Sequence, residues 1–452
     1  MMHRKRHWVF SIERLTPAQV LGLGYFSVIV VGTLLLKLPI ATRPGVELSV
    51  LDAAFTATSA TCVTGLSVLN TATGFSRFGQ TIIMILVQIG GLGIMTMSTL
   101  FALLLGKRIG IRQRQLIQED LNNISVSGVV RMARLIIEIA LIFEGIGAVI
   151  LFLHWVGDMP AGRAFFFAVF HAISAFNNAG FDLFGTSLEG FVGDVVVNLV
   201  ISFLIIAGGL GFFVLREATV KRRFRMLSLH SKIVLVSTLV LIAGAFIFVL
   251  VAEYHNPMTL GPLDPGAKVT AAFFQAVTPR TAGFNTVPVG QMRPVTLFFI
   301  LLLMFIGASP GSTGGGIKTT TFACIMVAVG NSIKGQNDNV LFYRRISERT
   351  VRRSLSIMVL ALALIVTVTM VLLAIEDLPI LPVLFEVVSA FGTVGLSTGI
   401  TPVLSGLGKL LIMMVMFAGR IGPVTLALAL GRRLVAPEGD GVRYPEGPVV
   451  VG

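Results

Sequence analysis

Four short segments of this 452-residue chain share one pattern: ATCVTGLS (Ala60–Ser67), AFNNAGFD (Ala175–Asp182), TPRTAGFN (Thr278–Asn285) and AFGTVGLS (Ala390–Ser397). Aligned on Gly65, Gly180, Gly283 and Gly395, they carry Phe55, Phe170, Phe273 or Phe385 ten residues upstream, and Leu66, Phe181, Phe284 or Leu396 one residue downstream. The next column is Ser67, Asp182, Asn285 and Ser397. In each copy the glycine and the three residues before it are candidate carbonyl donors: Cys62, Val63, Thr64 and Gly65; Asn177, Asn178, Ala179 and Gly180; Arg280, Thr281, Ala282 and Gly283; Gly392, Thr393, Val394 and Gly395. Side chains vary across these columns while the glycine stays, as expected of a site built from backbone. Glycine permits the positive φ needed to turn carbonyls inward, and rings of carbonyls replace the hydration shell of a cation. The pattern implies an ion pathway with fourfold pseudosymmetry, in which the loop carbonyls take up a dehydrated cation. Arg280 is expected to contribute backbone only, its side chain turned towards an acid or the outer surface.

Each segment follows an apolar stretch too short to span a bilayer, between two stretches long enough to do so. Irregular backbone at membrane depth is tolerated only where it is buried in protein or lines a cavity. The chain therefore reads as an all-α membrane protein of four helix, half-helix-with-loop, helix (M1–P–M2) units around a central pore. The expected divisions are a basic N-terminus (1–16), units at 17–114, 115–225, 226–342 and 343–435, and a C-terminal tail (436–452). Composition agrees: 55% of residues are hydrophobic and only 13% charged, too few for the surface of soluble domains.

The net charge of +13 is not spread evenly. Basic residues cluster at Arg4, Lys5 and Arg6; at Lys107, Arg108, Arg112 and Arg114; at Lys221, Arg222, Arg223, Arg225 and Lys232; at Arg344, Arg345, Arg349, Arg352 and Arg353; and at Arg432 and Arg433. With alternating spans all fall on one side, which the positive-inside rule makes cytoplasmic, together with both termini. This accounts for the charge without nucleic acid. The loops then enter from outside, where Asp52, Asp158, Asp182, Glu189, Asp194, Glu253, Asp264, Glu376 and Asp377 mostly lie, either drawing cations to the mouth or simply solvated.

The last helix of each unit carries a second repeat, QIGGLGIM, IAGGLGFF, IGASPGSTGGGIK and FAGRIGPV, aligned on Gly90, Gly208, Gly307 and Gly419. Close helix packing explains the first two. In the third, Gly307, Ala308, Ser309, Pro310, Gly311, Ser312, Thr313, Gly314, Gly315 and Gly316 are dense enough in glycine and proline to split the span around a loop beneath the pore, a candidate gate. Its resemblance to a phosphate-binding loop is superficial, because Ile317 intervenes before Lys318 and no strand precedes it. Arg420 lies mid-span, either pairing with loop carbonyls or raising an electrostatic barrier; Lys318 is expected to snorkel to the cytoplasmic interface. No nucleophile–base pair or metal cluster accompanies His171, and Cys62 and Cys324 form no disulfide framework. No enzyme activity is therefore expected, and no resident cofactor.

The motifs QIGGLG, HAISAFNNAGF, QAVTPRTAGFN, SAFGTVGLS, GRIGP and RYPEG resemble the Trk/Ktr/HKT superfamily of potassium transporters over nearly the whole chain. That resemblance implies potassium as the transported ion, with Gly65 favouring it over sodium, and Gly307–Gly316 as an intramembrane gate near Arg420. It also implies a homodimer in the bacterial cytoplasmic (inner) membrane, with a KtrA-type cytoplasmic regulatory ring that binds ATP and ADP. Sodium is a candidate activator. The alternative transport reading is a sodium-permeable or weakly selective monovalent cation pathway; an intramembrane enzyme or a structural subunit is the competing class.

Overall fold

The computed structural model describes residues 17–93, 96, 129–336 and 338–422. The basic residues expected near both termini and at 107–114 lie outside the described residues, as does the C-terminal tail. Unit 1 contains α1 (Pro17–Leu36), the half-helix α2 (Val50–Cys62) and α3 (Arg77–Leu92). Unit 2 contains α4 (Val129–Trp155), α5 (Ala161–Phe176), α6 (Val195–Leu210) and its continuation α7 (Phe212–Lys221). Unit 3 contains α8 (Leu229–Glu253), α9 (Pro265–Val277), α10 (Pro294–Phe305) and α11 (Thr319–Ile333). A two-residue ribbon, β1 (Val340–Leu341) against β2 (Arg344–Arg345), leads to unit 4: α12 (Glu348–Ile375), α13 (Ile380–Gly392) and α14 (Gly406–Ile421).

The first helix of every unit is long and apolar enough to cross a membrane, and only 28% of each such window is buried in protein, leaving most of its surface for lipid. The last helices are short because glycine ends them. Gly93, Gly211 and Gly422, three residues after Gly90, Gly208 and Gly419, all have φ near +90°, which an L side chain strains to adopt. At Gly211 the axis turns by 98° into α7. The sequence reading assigned only packing to the first two copies; in the structure they pack and also break the helix. In unit 3 the break widens into the stretch between α10 and α11.

The units close into a ring because each last helix packs on the next unit's half-helix: α3 on α5, α6 on α9, α10 on α13, and α14 on α2. Gly90, Gly208 and Gly419 are pressed against the carbonyls of Thr61, Phe176 and Phe391, the ends of their own half-helices, closer than any β-carbon could be.

Several of the acidic residues that the sequence reading puts on the outer side are clasps at helix ends. Asp194 caps α6 through Val197 and meets His154 Nε2 at 2.6 Å. Glu376 accepts from the N–H (3.0 Å) and hydroxyl (2.6 Å) of Ser405, the α14 cap. Buried Glu253 accepts from Asn256, Thr259, Thr296 and the Arg293 N–H, four donors that satisfy its carboxylate. Lys409 Nζ joins Asp52 at 2.8 Å, tying unit 4 to unit 1.

Candidate functional site: the glycine ring and the broken helix beneath it

The four half-helices converge on their loops. Thr64, Ala179 and Val394 each donate their N–H at 2.8 Å to the carbonyl five residues back, at Ser59, Ser174 and Ser389; Ala282 donates to Thr278 at 3.0 Å. Two hydroxyls brace the glycines directly: Gly65 N–H donates to Ser59 Oγ (3.0 Å) and Gly395 N–H to Ser389 Oγ (3.1 Å). The backbone reverses in one way four times. The glycine has positive φ, and so does the residue two before it: Val63, Asn178, Thr281 and Thr393. Three non-glycine residue types in the left-handed region signal a geometry imposed by surroundings.

The glycines meet head to tail. A β-carbon on Gly65 would lie 2.5 Å from the Ala179 carbonyl oxygen, and one on Gly180 would lie 2.8 Å from that of Ala282. On Gly283 it would strike the Val394 carbonyl, and on Gly395 the Thr64 carbonyl, closing the circuit. No side chain fits at any of the four positions without moving backbone.

Behind the ring, the column three residues before each glycine faces the surrounding helices in two units. Gly392 abuts the Met304 carbonyl of α10, and Asn177 meets Gln88 of α3 and Glu144 of α4. Arg280 is only 4% exposed, and its Nε and Nη2 have no hydrogen-bond partner. The expectation that it would reach an acid or the outer surface is therefore corrected: the side chain is buried with its loop. Cys62 is wholly buried in the core. His171 has both ring nitrogens engaged, Nδ1 with Phe167 O at 2.7 Å and Nε2 with the Leu183 N–H at 3.3 Å, and holds the chain leaving the loop.

Below the ring lies the stretch from Ile306 to Lys318. Gly307 N–H donates to Ile317 O (2.8 Å), pinching the two ends of the loop together. Ser309 and Thr313 N–H groups donate to Gly209 O (3.1 Å) and Gly208 O (3.2 Å), and Phe212 N–H, starting α7, donates to Gly311 O (3.0 Å). Pro310 and Ser312 complete this turn; Ser312 Oγ donates to Ser309 O at 2.6 Å. The loop interlocks with the left-handed residues above it. Asn178 and the Thr313 hydroxyl are 3.1 Å apart, while Gly314 and Gly315 are seated against the Thr281 and Thr393 hydroxyls. Side-chain identity therefore matters more in this column than a site built from backbone suggests. Ala308 and Gly316 are packed inside the same turn.

Two cations hold the loop. Arg420, in the last turn of α14, donates to Thr313 O and to Gly90 O, with Gly91 O at 3.3 Å, bridging loop and α3. Of the two roles open to it in the sequence, the structure shows pairing with carbonyls. Lys318 does not snorkel outward: its Nζ folds back to Gly314 O at 2.7 Å, where a carbonyl freed by the broken helix needs a donor. Between the second and third loops, Glu189 accepts from Asn285 at 2.8 Å. Burial pushes its carboxyl up, the Asn285 bond opposes this, and the charge of Asp182 adds to the rise.

Gln88 and Glu144 are the residues that sequence reading passed over. The rule that singled out Arg420, an ionisable side chain within a span, applies equally to Glu144.

A ring of four pseudosymmetric re-entrant loops, enclosed by apolar helices and underlain by a broken helix, defines an integral membrane protein of the ion-transporter class. Comparison narrows the class. The TrkH family model, described as a cation transport protein, matches residues 3–440. The Ktr system potassium uptake protein B of Bacillus subtilis is 46% identical over 98% of this chain and 98% of its own length. The Vibrio alginolyticus protein of the same name is 41% identical (96% and 94%), and the potassium/sodium uptake protein NtpJ of Enterococcus hirae 40% (97% and 98%). The potassium transporter TrkH of Vibrio parahaemolyticus shares the fold with a TM-score of 0.73 at 19% identity, over 95% of this chain and 87% of that one. The chain belongs to the TrkH family of cation transport proteins, which are ion transporters and not enzymes.

Proposed function

We propose that this chain takes up potassium across the bacterial cytoplasmic membrane through the glycine ring, with the Gly307–Gly316 loop, Lys318 and Arg420 as its gate. The observation that carries this reading is the head-to-tail closure of Gly65, Gly180, Gly283 and Gly395 on one another's preceding carbonyls. The donor set there is oxygen, and buried hydroxyls of Thr64, Thr281 and Thr393 lack hydrogen-bond partners, an arrangement suited to a dehydrated monovalent cation. Two relatives named as potassium uptake proteins support the choice of ion. Uptake is then driven by the membrane potential, worth about 2.3 kcal/mol per charge per 100 mV.

The working assembly in this reading is a homodimer, both termini cytoplasmic, docked on a ring of nucleotide-binding subunits that moves the gate. The turn between β1 and β2 suits such docking: Tyr343 is fully exposed at its tip, followed by Arg344 and Arg345. The name of NtpJ favours one further point, that sodium takes part either as activator or as a second permeant ion.

The test is growth of a potassium-uptake-deficient bacterium on limiting potassium, with and without a partner-ring subunit. Rescue that is lost in Gly65→Ser and Gly283→Ser, with membrane levels maintained, supports the reading. Rescue indifferent to both substitutions sinks it.

A further inference from the structure

We propose that Glu144 is a positioning residue for the second loop: together with Gln88 it holds the Asn177 side chain and so sets the aperture of the ring and its discrimination between monovalent cations. The proposal rests on the potassium-filter reading above.

Glu144 lies at the centre of the span Ala133–Trp155 and is only 6% exposed. An ionisable side chain at that depth is kept where it has a specific partner. Its partners are amides: Gln88 Nε2 donates to Oε2 at 3.1 Å, and Asn177 Nδ2 donates to Oε1 at 2.9 Å. Among the described residues no cation pairs with it. The third side of the triangle is Asn177 Nδ2 to Gln88 Oε1, 2.9 Å. The three residues come from α3 of unit 1, α4 of unit 2 and the start of the second loop, so the triangle spans the seam between two units.

Asn177 has no room to leave this seat. A β-carbon on Gly91 would fall 2.6 Å from its Cγ, so α3 packs against it directly. Next to Glu144, Phe143 stacks on Phe176 with ring centroids 5.8 Å apart, bracing the last residue of α5. From Asn177 the chain runs through two residues to Gly180, whose backbone abuts Ala282, while Ala179 O abuts Gly65. A shift at Asn177 is thus delivered to the loops on both sides.

Hydrogen counting indicates how the carboxyl acts. Asn177 Nδ2 has two hydrogens and three acceptors at 2.9 Å: Glu144 Oε1, Gln88 Oε1 and Ile173 O. Hydrogens, not acceptors, are scarce at this seam. Both Glu144 oxygens accept from amide nitrogens, so a carboxamide at 144 keeps the shape but sets its NH2 against Asn177 Nδ2 or Gln88 Nε2, whereas an apolar side chain removes both acceptors and leaves buried amide groups unpaired.

The test uses the full chain in proteoliposomes, reading sodium and rubidium uptake separately. Glu144→Leu and Gln88→Leu should raise the sodium-to-rubidium ratio about tenfold, the scale of one buried hydrogen bond; Glu144→Gln, which keeps one of the two acceptors, should raise it less than Glu144→Leu. A merely structural residue would lower both fluxes together and leave the ratio alone. If Glu144→Leu fails to reconstitute, Gln88→Leu reads the same seam from the other helix. An unchanged ratio in the leucine variants overturns the proposal. Gly180→Ser separates the two levels: if it shifts the ratio and the leucine variants do not, only the positioning role fails. If Gly180→Ser also leaves the ratio unchanged, the filter reading falls first.

Discussion

A single methyl group at Gly395 would meet the Thr64 carbonyl, backbone of a different unit that is itself tied to Ser59. Gly180 is the loosest of the four seats, with 2.8 Å to the Ala282 oxygen. Positive φ adds strain at all four glycines, roughly 1–2 kcal/mol for an L residue, and Gly395 at φ 92° lies further from the allowed left-handed region than Gly180 at 68°, so strain and space rank the two alike. Alanine substitution should therefore reduce potassium uptake more at Gly395 than at Gly180, with the Gly395 variant down more than about tenfold and the Gly180 variant retaining measurable flux. Rubidium influx in cells with matched membrane levels checks the order; equal loss at both would mean that crowding is not what the glycines relieve. The glycines themselves were legible from sequence because they recur in register. The left-handed residues two positions earlier were not, since Val63, Asn178, Thr281 and Thr393 are of three types with no chemistry common to all four, only a backbone conformation that the ring imposes.

Between elements, the loop below the ring is held from two sides: by α6 and α7 through backbone bonds, and by α14 and α3 through Arg420. Charged hydrogen bonds of this kind contribute about 1.5–3 kcal/mol each. Arg420→Ala should raise partner-independent uptake by about tenfold, because one such bond released is worth that factor. Flux into vesicles lacking any cytoplasmic subunit measures it, and a variant no leakier than wild type would remove Arg420 from the latch. The elements were readable because each half-helix is too short to span and each follows a long apolar helix. Contacts across units were not. Arg420 reaches Gly90 across 330 positions and Asn177 reaches Gln88 across 89, and no periodicity within one helix carries that information. Lys318 and Arg280 depart from the sequence expectation for a related reason. The snorkelling rule assumes a free route to water, and inside a four-unit ring the nearest acceptor for Lys318 is the loop's own carbonyl.

For the molecule as a whole, the Lys409–Asp52 pair joins the last unit to the first. Burial raises the Asp52 carboxyl, but hydrogen bonds from Lys409 and Ser49 and the Lys409 charge outweigh it, and the net position is below the ordinary carboxylate value of 3.8. A depressed folded-state value means that the pair stabilises the closed ring fully above the unfolded value. That contribution is lost as pH falls through the folded one. In detergent, Asp52→Asn should lower the unfolding temperature slightly at pH 7, by less than about 1 kcal/mol of stability for a partly exposed pair. The difference from wild type should persist to about pH 5 and vanish only below about pH 4. A gap that closes between pH 7 and 6 would assign the effect to another group.

Because the ring is made from four unlike segments of one polypeptide, heredity can edit it one quarter at a time. In an assembly of four identical chains, a mutation at the narrowest point appears four times at once, and permeation changes in a single large step. Here a change at Asn178 leaves Val63, Thr281 and Thr393 as they were, while the head-to-tail contacts pass its effect to two neighbours. Such a pore can be tuned in small increments, and its four seats are free to specialise.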